Sequence, residues 1–401
     1  MGLFDIFKKK ISAVIEPKVE QESTQQIEKN TPKPTIIKKE IIANNQGVEF
    51  SVEVEGPPPL EELLKTAVAS KQGLYPHEII MLEYAPSYKT ANNSFQQFWF
   101  YQYSVKEPQK ILDSLFDRGF IKIGDLKSAL EKLKLPEIKD ELKAIEQKVT
   151  GKKAELIDRL LENADKEYLE KKYSERYFAL TEKGESELKD NEYVSYLHRN
   201  RVMTVWEMNQ RISQTHYPYR DVLWGYFNEQ STLHFQNFDF GLYRNTRLNM
   251  YRFLMEENKP KTAFQMLCEV MSFDLSGLGN SEKSMFKWEQ SDPEFYLEMY
   301  KSRIEQFFPY DEEKLIIPPA VLGWAAELQE TLGFDDNEFK KEMLESFEKV
   351  HPPRRIFTDE ECANIVIASI HEDTNSLSAI FKKVEIRENA KIKEIEARIQ
   401  K

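Results

Sequence analysis

The stretch "VTGKKAELIDRLLENA" (149–164) sets a Thr-Gly-Lys-Lys start in front of an amphipathic helix. Ala154, Leu156, Ile157, Leu160 and Leu161 recur at helical spacing and form one apolar face. Thr150 reads as the N-cap, since its hydroxyl suits the unpaired amides of a first turn. Glu155 and Arg159 are spaced for an i,i+4 ion pair.

Upstream, "DLKSALEKL" (125–133) and "LPEIKDELKAI" (135–145) read as two further helices. Pro136 sits in a first turn, and Ile138, Leu142 and Ile145 make a buried face. This helix, extended loop, helix pattern resembles the SAP domain through "LKLPEIKDEL" (133–142) and "TGKKAELIDRL" (150–160). SAP domains are small DNA-binding modules. The resemblance implies a nucleic-acid contact at Thr150, Gly151, Lys152 and Lys153, with Arg159 beside them. Elementary chemistry supports the same place. A helix start offers unpaired N–H groups and the positive end of the macrodipole, both suited to a phosphate oxygen. Where the family usually carries a Gly-Leu pair and a basic residue in the loop, this chain has Ile145, Glu146 and Gln147. From Lys122 to Lys172 there are 13 basic and 12 acidic residues, a net of +1. Two readings therefore stand: a weak DNA contact, or a helical spacer that docks protein.

Segments flanking this region read as a small α/β module. "GVEFSVEV" (47–54) alternates like a half-buried strand. Residues 59–70 and 76–84 read as helices, and the aromatic run "FQQFWFYQYSV" (95–105) as core. "PQKILDSLFDRGFIKI" (108–123) reads as helix then strand, and "RYFALTEKGESEL" (176–188) as strand then helix. Together these two pieces resemble a winged-helix domain. That implies antiparallel pairing near 120–123 and 176–180, with the SAP-like helices inserted where a wing tip would be. Asp113 and Asp117 balance Lys110 and Arg118 on the would-be recognition helix, so it is read as scaffold.

The first residues, "MGLFDIFKKKISAVIE", put Leu3, Phe4, Phe7 and Ile11 on one stripe, fit for peripheral membrane contact or for docking on protein. A polar linker rich in Pro, Gln, Lys and Glu follows. Beyond Asn200 the pattern is helical almost throughout, divided by "HYPY", "NKP", "SDP" and "HPPRR". "TRLNMYRFLMEENKPKTAFQMLCEVMSFD" (246–274) reads as a helical hairpin.

The 401-residue chain carries a formal charge of −12, so any nucleic-acid contact must be a local patch. Cys268 and Cys362 lack ligand spacing, and the six histidines form no HxxxH pattern. No catalytic, cofactor-binding or metal site is expected. "HED" (371–373) reads as helix-end capping, "RNTR" (244–247) as surface arginines, and Trp206, Trp224 and Trp324 as core.

The expected fold is mainly α: a small α/β winged-helix-like module with a SAP helix–loop–helix insert, then an irregular all-helical domain. The expected division is 1–16 amphipathic helix, 17–45 linker, 46–123 and 173–197 α/β module, 124–172 insert, and 198–401 helical domain. The expected function is a DNA-associated adaptor in a bacterial cytoplasm, at the nucleoid or at a membrane through residues 1–16. The insert would bind DNA, and 198–401 an unidentified protein. The rival class is an interaction scaffold that never touches DNA. An enzyme is not expected.

Overall fold

A computed structural model describes residues 35–43, 49–311 and 316–400. The amphipathic segment 1–16 lies outside them. The chain divides into two compact units, Met1–Val222 and Leu223–Lys401.

The first unit opens with strands β1 (Thr35–Ala43) and β2 (Glu49–Gly56), paired antiparallel from Thr35↔Gly56 to Ala43↔Glu49. The linker expected over 17–45 therefore contains a strand at its end. Ile36, Ile41 and Ile42 supply β-branched residues that composition alone masked among lysines. Helices α1 (Leu60–Thr66) and α2 (Pro76–Tyr84) follow. Pro76 starts α2 where its missing N–H costs nothing. The helix buries Ile79, Ile80, Met81 and Leu82 at the centre of the unit.

The aromatic run forms α3 (Phe98–Tyr103), with Trp99 and Tyr103 buried as core. The Trp99 indole N–H donates to the Tyr88 hydroxyl at 2.8 Å. Helix α4 (Pro108–Asp117) leads into β3 (Ile121–Ile123). Four short helices then make the insert: α5 (Leu126–Leu130), α6 (Leu135–Ala144), α7 (Lys153–Asn163) and α8 (Lys166–Lys172). The chain returns through β4 (Phe178–Leu180), which pairs antiparallel with β3 in the register Ile121↔Leu180, Lys122↔Ala179, Ile123↔Phe178. The insert is closed at its base by this ladder, the pairing expected from the split pieces. On its other side β4 meets the 88–90 segment through an isolated bridge, Lys89↔Tyr177.

Helices α9 (Glu182–Asp190), α10 (Glu192–Asn200) and α11 (Val205–Thr215) complete this unit. All three pack on α2. The boundary expected at residue 198 is therefore displaced. Trp206 stacks on His77 with centroids 5.7 Å apart, and Asn209 and Gln210 bond Val68 and Thr66, so α11 belongs with the first unit.

The second unit is all-helical among the described residues. It contains α12 (Tyr219–Gln236, from Leu223 on), α13 (Phe240–Glu256), α14 (Pro260–Asp274), α15 (Lys283–Ser291), α16 (Pro293–Glu305), α17 (Pro319–Leu332), α18 (Asp336–Phe347), α19 (Asp359–Ile370) and α20 (Thr374–Ile399). α13 and α14 pack along each other as the expected hairpin. Helix α14 is the hub: it touches α13, α17, α18 and α19 and buries Phe264, Leu267, Val270 and Met271. Its Cys268 is fully buried, and burial pushes the thiol pKa up, consistent with an inert thiol.

"RNTR" is corrected by the structure. Arg244 forms a bidentate pair with Asp274, both contacts at 2.8 Å, and Arg247 lies 2.9 Å from Glu269. These arginines are internal ties of the α13–α14 hairpin, because the long helix turns that face inward. In "HED", His371 bonds Asp336 at 2.9 Å and Asp373 caps α20 through the Ser376 amide.

Candidate nucleic-acid interface

The insert is built on an aliphatic core. Leu126, Leu130, Ile138, Leu142, Leu156, Ile157, Leu160 and Leu169 are buried together, with Ile145, Val149 and Leu161 packed against them. Each helix turns apolar residues inward, so the four faces find one another without any polar group inside. Asp125 caps α5 by accepting from the Ser128 amide at 2.9 Å.

Helix α6 stops in a Schellman turn. The Gln147 N–H donates to the Leu142 carbonyl at 2.8 Å and the Glu146 N–H to the Lys143 carbonyl at 3.0 Å. This geometry requires a left-handed residue, and Glu146 takes it with φ +57°. The departure from the Gly-Leu pattern therefore keeps the turn and accepts backbone strain in it.

The extended loop then runs to α7. Its anchor is Arg159, whose Nη1 donates to the carbonyls of Lys148 at 2.5 Å and Thr150 at 3.2 Å. The expected Glu155–Arg159 pair is absent. Glu155 instead turns back and accepts from the Lys152 amide at 3.1 Å. That reciprocal bond moves the cap: Lys152 is the N-cap of α7, not Thr150, whose side chain makes no cap bond. Gly151 makes the turn possible. Its φ is +138°, and a Cβ there would lie 2.7 Å from the Glu155 carboxylate.

The five expected contact residues are thus near one another but differently engaged. Lys152 is exposed, and its ammonium has no ion pair or hydrogen bond among the described residues. Lys153 is exposed but donates to the Glu131 carbonyl at 2.7 Å. Arg159 holds the loop. The first-turn amides of Lys153, Ala154 and Glu155 have no acceptor within the described chain, as at any helix start. Glu155 places a carboxylate beside that positive end.

The Lys153–Glu131 bond also brings the start of α7 beside the turn after α5, where Lys132 and Lys134 are exposed. Lys132 lies over the Tyr177 ring at 5.6 Å, and the Lys134 ammonium has no described partner. The sequence signal for these two was the run "EKLKLP" (131–136), which reads as an ordinary helix end until the fold sets it next to "TGKK". Three other insert lysines are neutralised: Lys127 by Asp158 at 2.6 Å, Lys143 by Asp140 at 3.0 Å, and Lys172 by Glu141 at 2.5 Å. The Asp158 hydrogen bond raises the pKa of Lys127.

The insert thus centres on a compact helix–extended loop–helix module with lysines at the start of α7. Residues 129–164 match the family model of the SAP domain, and the fold of this segment is consistent with one. A SAP domain suggests DNA binding in general. Compared with curated proteins, the chain gives no match.

Proposed function

We propose that the protein is a DNA-associated adaptor. Its SAP domain holds the DNA backbone weakly and with little sequence choice, and its second unit binds another protein. The observation that carries this reading is the SAP match over 129–164 together with the unpaired, exposed Lys152 at the start of α7. Phosphate contact at such a place positions the domain and reads few base edges.

Charge supports the division of labour. Residues 1–222 carry 34 basic and 36 acidic side chains, a net of −2. Residues 223–401 carry 22 basic and 32 acidic, a net of −10. DNA is repelled by the second unit far more than by the first. We read the module around the insert as scaffold: Arg118 of the "RGFI" segment is held by Glu78 at 2.5 Å and so is not offered to phosphate. Two free, buried thiols suit a cytoplasmic setting.

One observation favours the rival reading, a scaffold without DNA. Glu155 already occupies the helix start, and Lys153 and Arg159 are bonded to carbonyls. The test is fluorescence anisotropy with a short duplex. With about two or three phosphates neutralised, log K should fall against log salt with a slope of about −2 to −3, at a Kd of about 10⁻⁴ to 10⁻⁶ M. Lys152→Glu, which touches no internal bond, should weaken binding several-fold, and Lys152→Glu with Lys153→Glu should abolish it. Equal affinity in wild type and Lys152→Glu, with circular dichroism unchanged, leaves only the scaffold reading.

A further inference from the structure

A cavity of about 230 Å³ opens on the second unit, lined by Arg303 and Tyr296 of α16, Glu289 of α15, Arg354 and Arg355 before α19, and Lys391 of α20. Four cationic side chains line it against one carboxylate. The counter-ions of three of them stand outside the lining. Glu282 accepts from Arg303 with both oxygens at 2.6 Å, Asp359 takes Arg355, and Glu388 lies 3.8 Å from Lys391.

These pairings leave donors over. Arg303 bonds Glu282 through Nη2 alone, and Arg355 bonds Asp359 through Nη1 alone. Their remaining guanidinium N–H groups have no acceptor among the described residues. The cations are also held in place before any ligand arrives. Arg354 lies over the rings of Phe286 at 4.5 Å and Tyr296 at 5.0 Å, and Lys391 over Tyr300 at 4.9 Å.

Glu289 is different from the outer counter-ions. It lines the cavity, its side chain is 49% exposed, and it bonds Arg354. The cavity therefore already seats a carboxylate that water can reach and a competitor can displace. Its size decides the class of competitor. Pockets for whole small molecules begin at about 300 Å³. A space of about 230 Å³ suits one acidic side chain better than a nucleotide. Charge decides likewise. Duplex DNA brings one charge about every 1.7 Å toward a unit of net −10, whereas a peptide carboxylate brings one.

We propose that this cavity accepts an aspartate or glutamate side chain of a partner peptide, which enters in place of Glu289. The proposal rests on the adaptor reading and supplies the chemistry of its protein contact. The test uses the full chain and a labelled twelve-residue Gly/Ser peptide carrying two glutamates, with its glutamine twin and its phosphoserine twin, read by anisotropy. The glutamate peptide should bind about five-fold more tightly than the glutamine twin. Glu289→Gln should tighten binding by about three-fold, and Arg355→Gln with Lys391→Gln should weaken it about five-fold while circular dichroism stays unchanged. Equal binding of glutamate and glutamine peptides, or no response to either set of variants, overturns the site. A phosphoserine peptide that binds about ten-fold more tightly than the glutamate one overturns the carboxylate assignment. A pull-down separates the two proposals. A partner captured equally by wild type and the Arg355→Gln, Lys391→Gln variant leaves the adaptor standing and removes this cavity from it. Peptide binding without any captured partner keeps the site and removes the adaptor.

Discussion

The SAP insert and the α13–α14 hairpin are both helical, and they treat charge in opposite ways. The insert keeps every polar group out of its aliphatic core and pairs Lys127 with Asp158 and Lys143 with Asp140 at its surface. The hairpin takes charge inside. Half-buried Arg247 and buried Glu269 and Tyr243 form a cluster in which the tyrosine hydroxyl donates to Glu269 at 2.7 Å. Burial raises the pKa of Tyr243 out of its ordinary range. A surface lysine remains available to a partner, whereas an internal arginine fixes which helix turns may face each other. The difference teaches that basic residues in this chain divide by place, and that their count says little about nucleic-acid contact.

The comparison breaks most visibly at Glu269. Glu269→Ala leaves the largely enclosed Arg247 without its carboxylate and should cost about 3 kcal/mol, read by urea unfolding of the full chain. The paired change Arg247→Met with Glu269→Leu should be much closer to neutral, because no charge is then stranded. A loss as large in the pair as in the single variant would show that packing, not charge, holds the hairpin.

Leu156→Ala tests the other side. The residue is fully buried, and truncation should cost about 2–5 kcal/mol. A core of so few side chains cannot absorb that loss. Hydrogen exchange should then show the insert opening while α13 and α14 stay protected.

Acid separates the regions by a similar amount. The insert contains no histidine over 124–172. In the module that carries it, burial lowers the pKa of His77 to about 4, and its Nδ1 has no hydrogen-bond partner among the described residues. Folded His77 stays neutral while the unfolded chain takes up a proton below about pH 6.5. Stability is therefore intact above that pH and falls as pH drops toward 4, by about 3 kcal/mol for this group. His77→Leu should flatten the loss between about pH 6.5 and 4 in thermal unfolding followed by circular dichroism. An acid limb identical to wild type would remove His77 as its source.

The smallest effect sharpens the picture of the loop. Glu146→Gly relieves a left-handed φ of +57° and should raise the stability of the insert by about 1 kcal/mol, seen as slower exchange of the α6 and α7 amides. No gain would mean that the Glu146 conformation is unstrained.

The closure of β3 on β4 was expected only from the winged-helix resemblance of its two flanking pieces, whereas periodicity determined most of the helices and the insert, because apolar spacing and turn residues are local signals. The SAP resemblance was legible for the same reason: its helices and "TGKK" start are contiguous. Tertiary structure decided what each charge does. Lys153 turns to the Glu131 carbonyl, Arg159 to the loop carbonyls, and Arg247 to Glu269. None of these partners sits at a helical spacing that sequence could announce, and the one pair that spacing did announce, Glu155–Arg159, does not form. A long cationic side chain takes whichever acceptor the packed fold brings within reach. The boundary of the second unit was decided in the same way. The sequence pattern puts residues 201–222 in the helical domain 198–401, and only the contacts of Trp206, Asn209 and Gln210 assign α11 to the first unit. The cavity at Arg303, Arg354 and Lys391 draws on segments almost 90 residues apart, and no local pattern places such groups around one space.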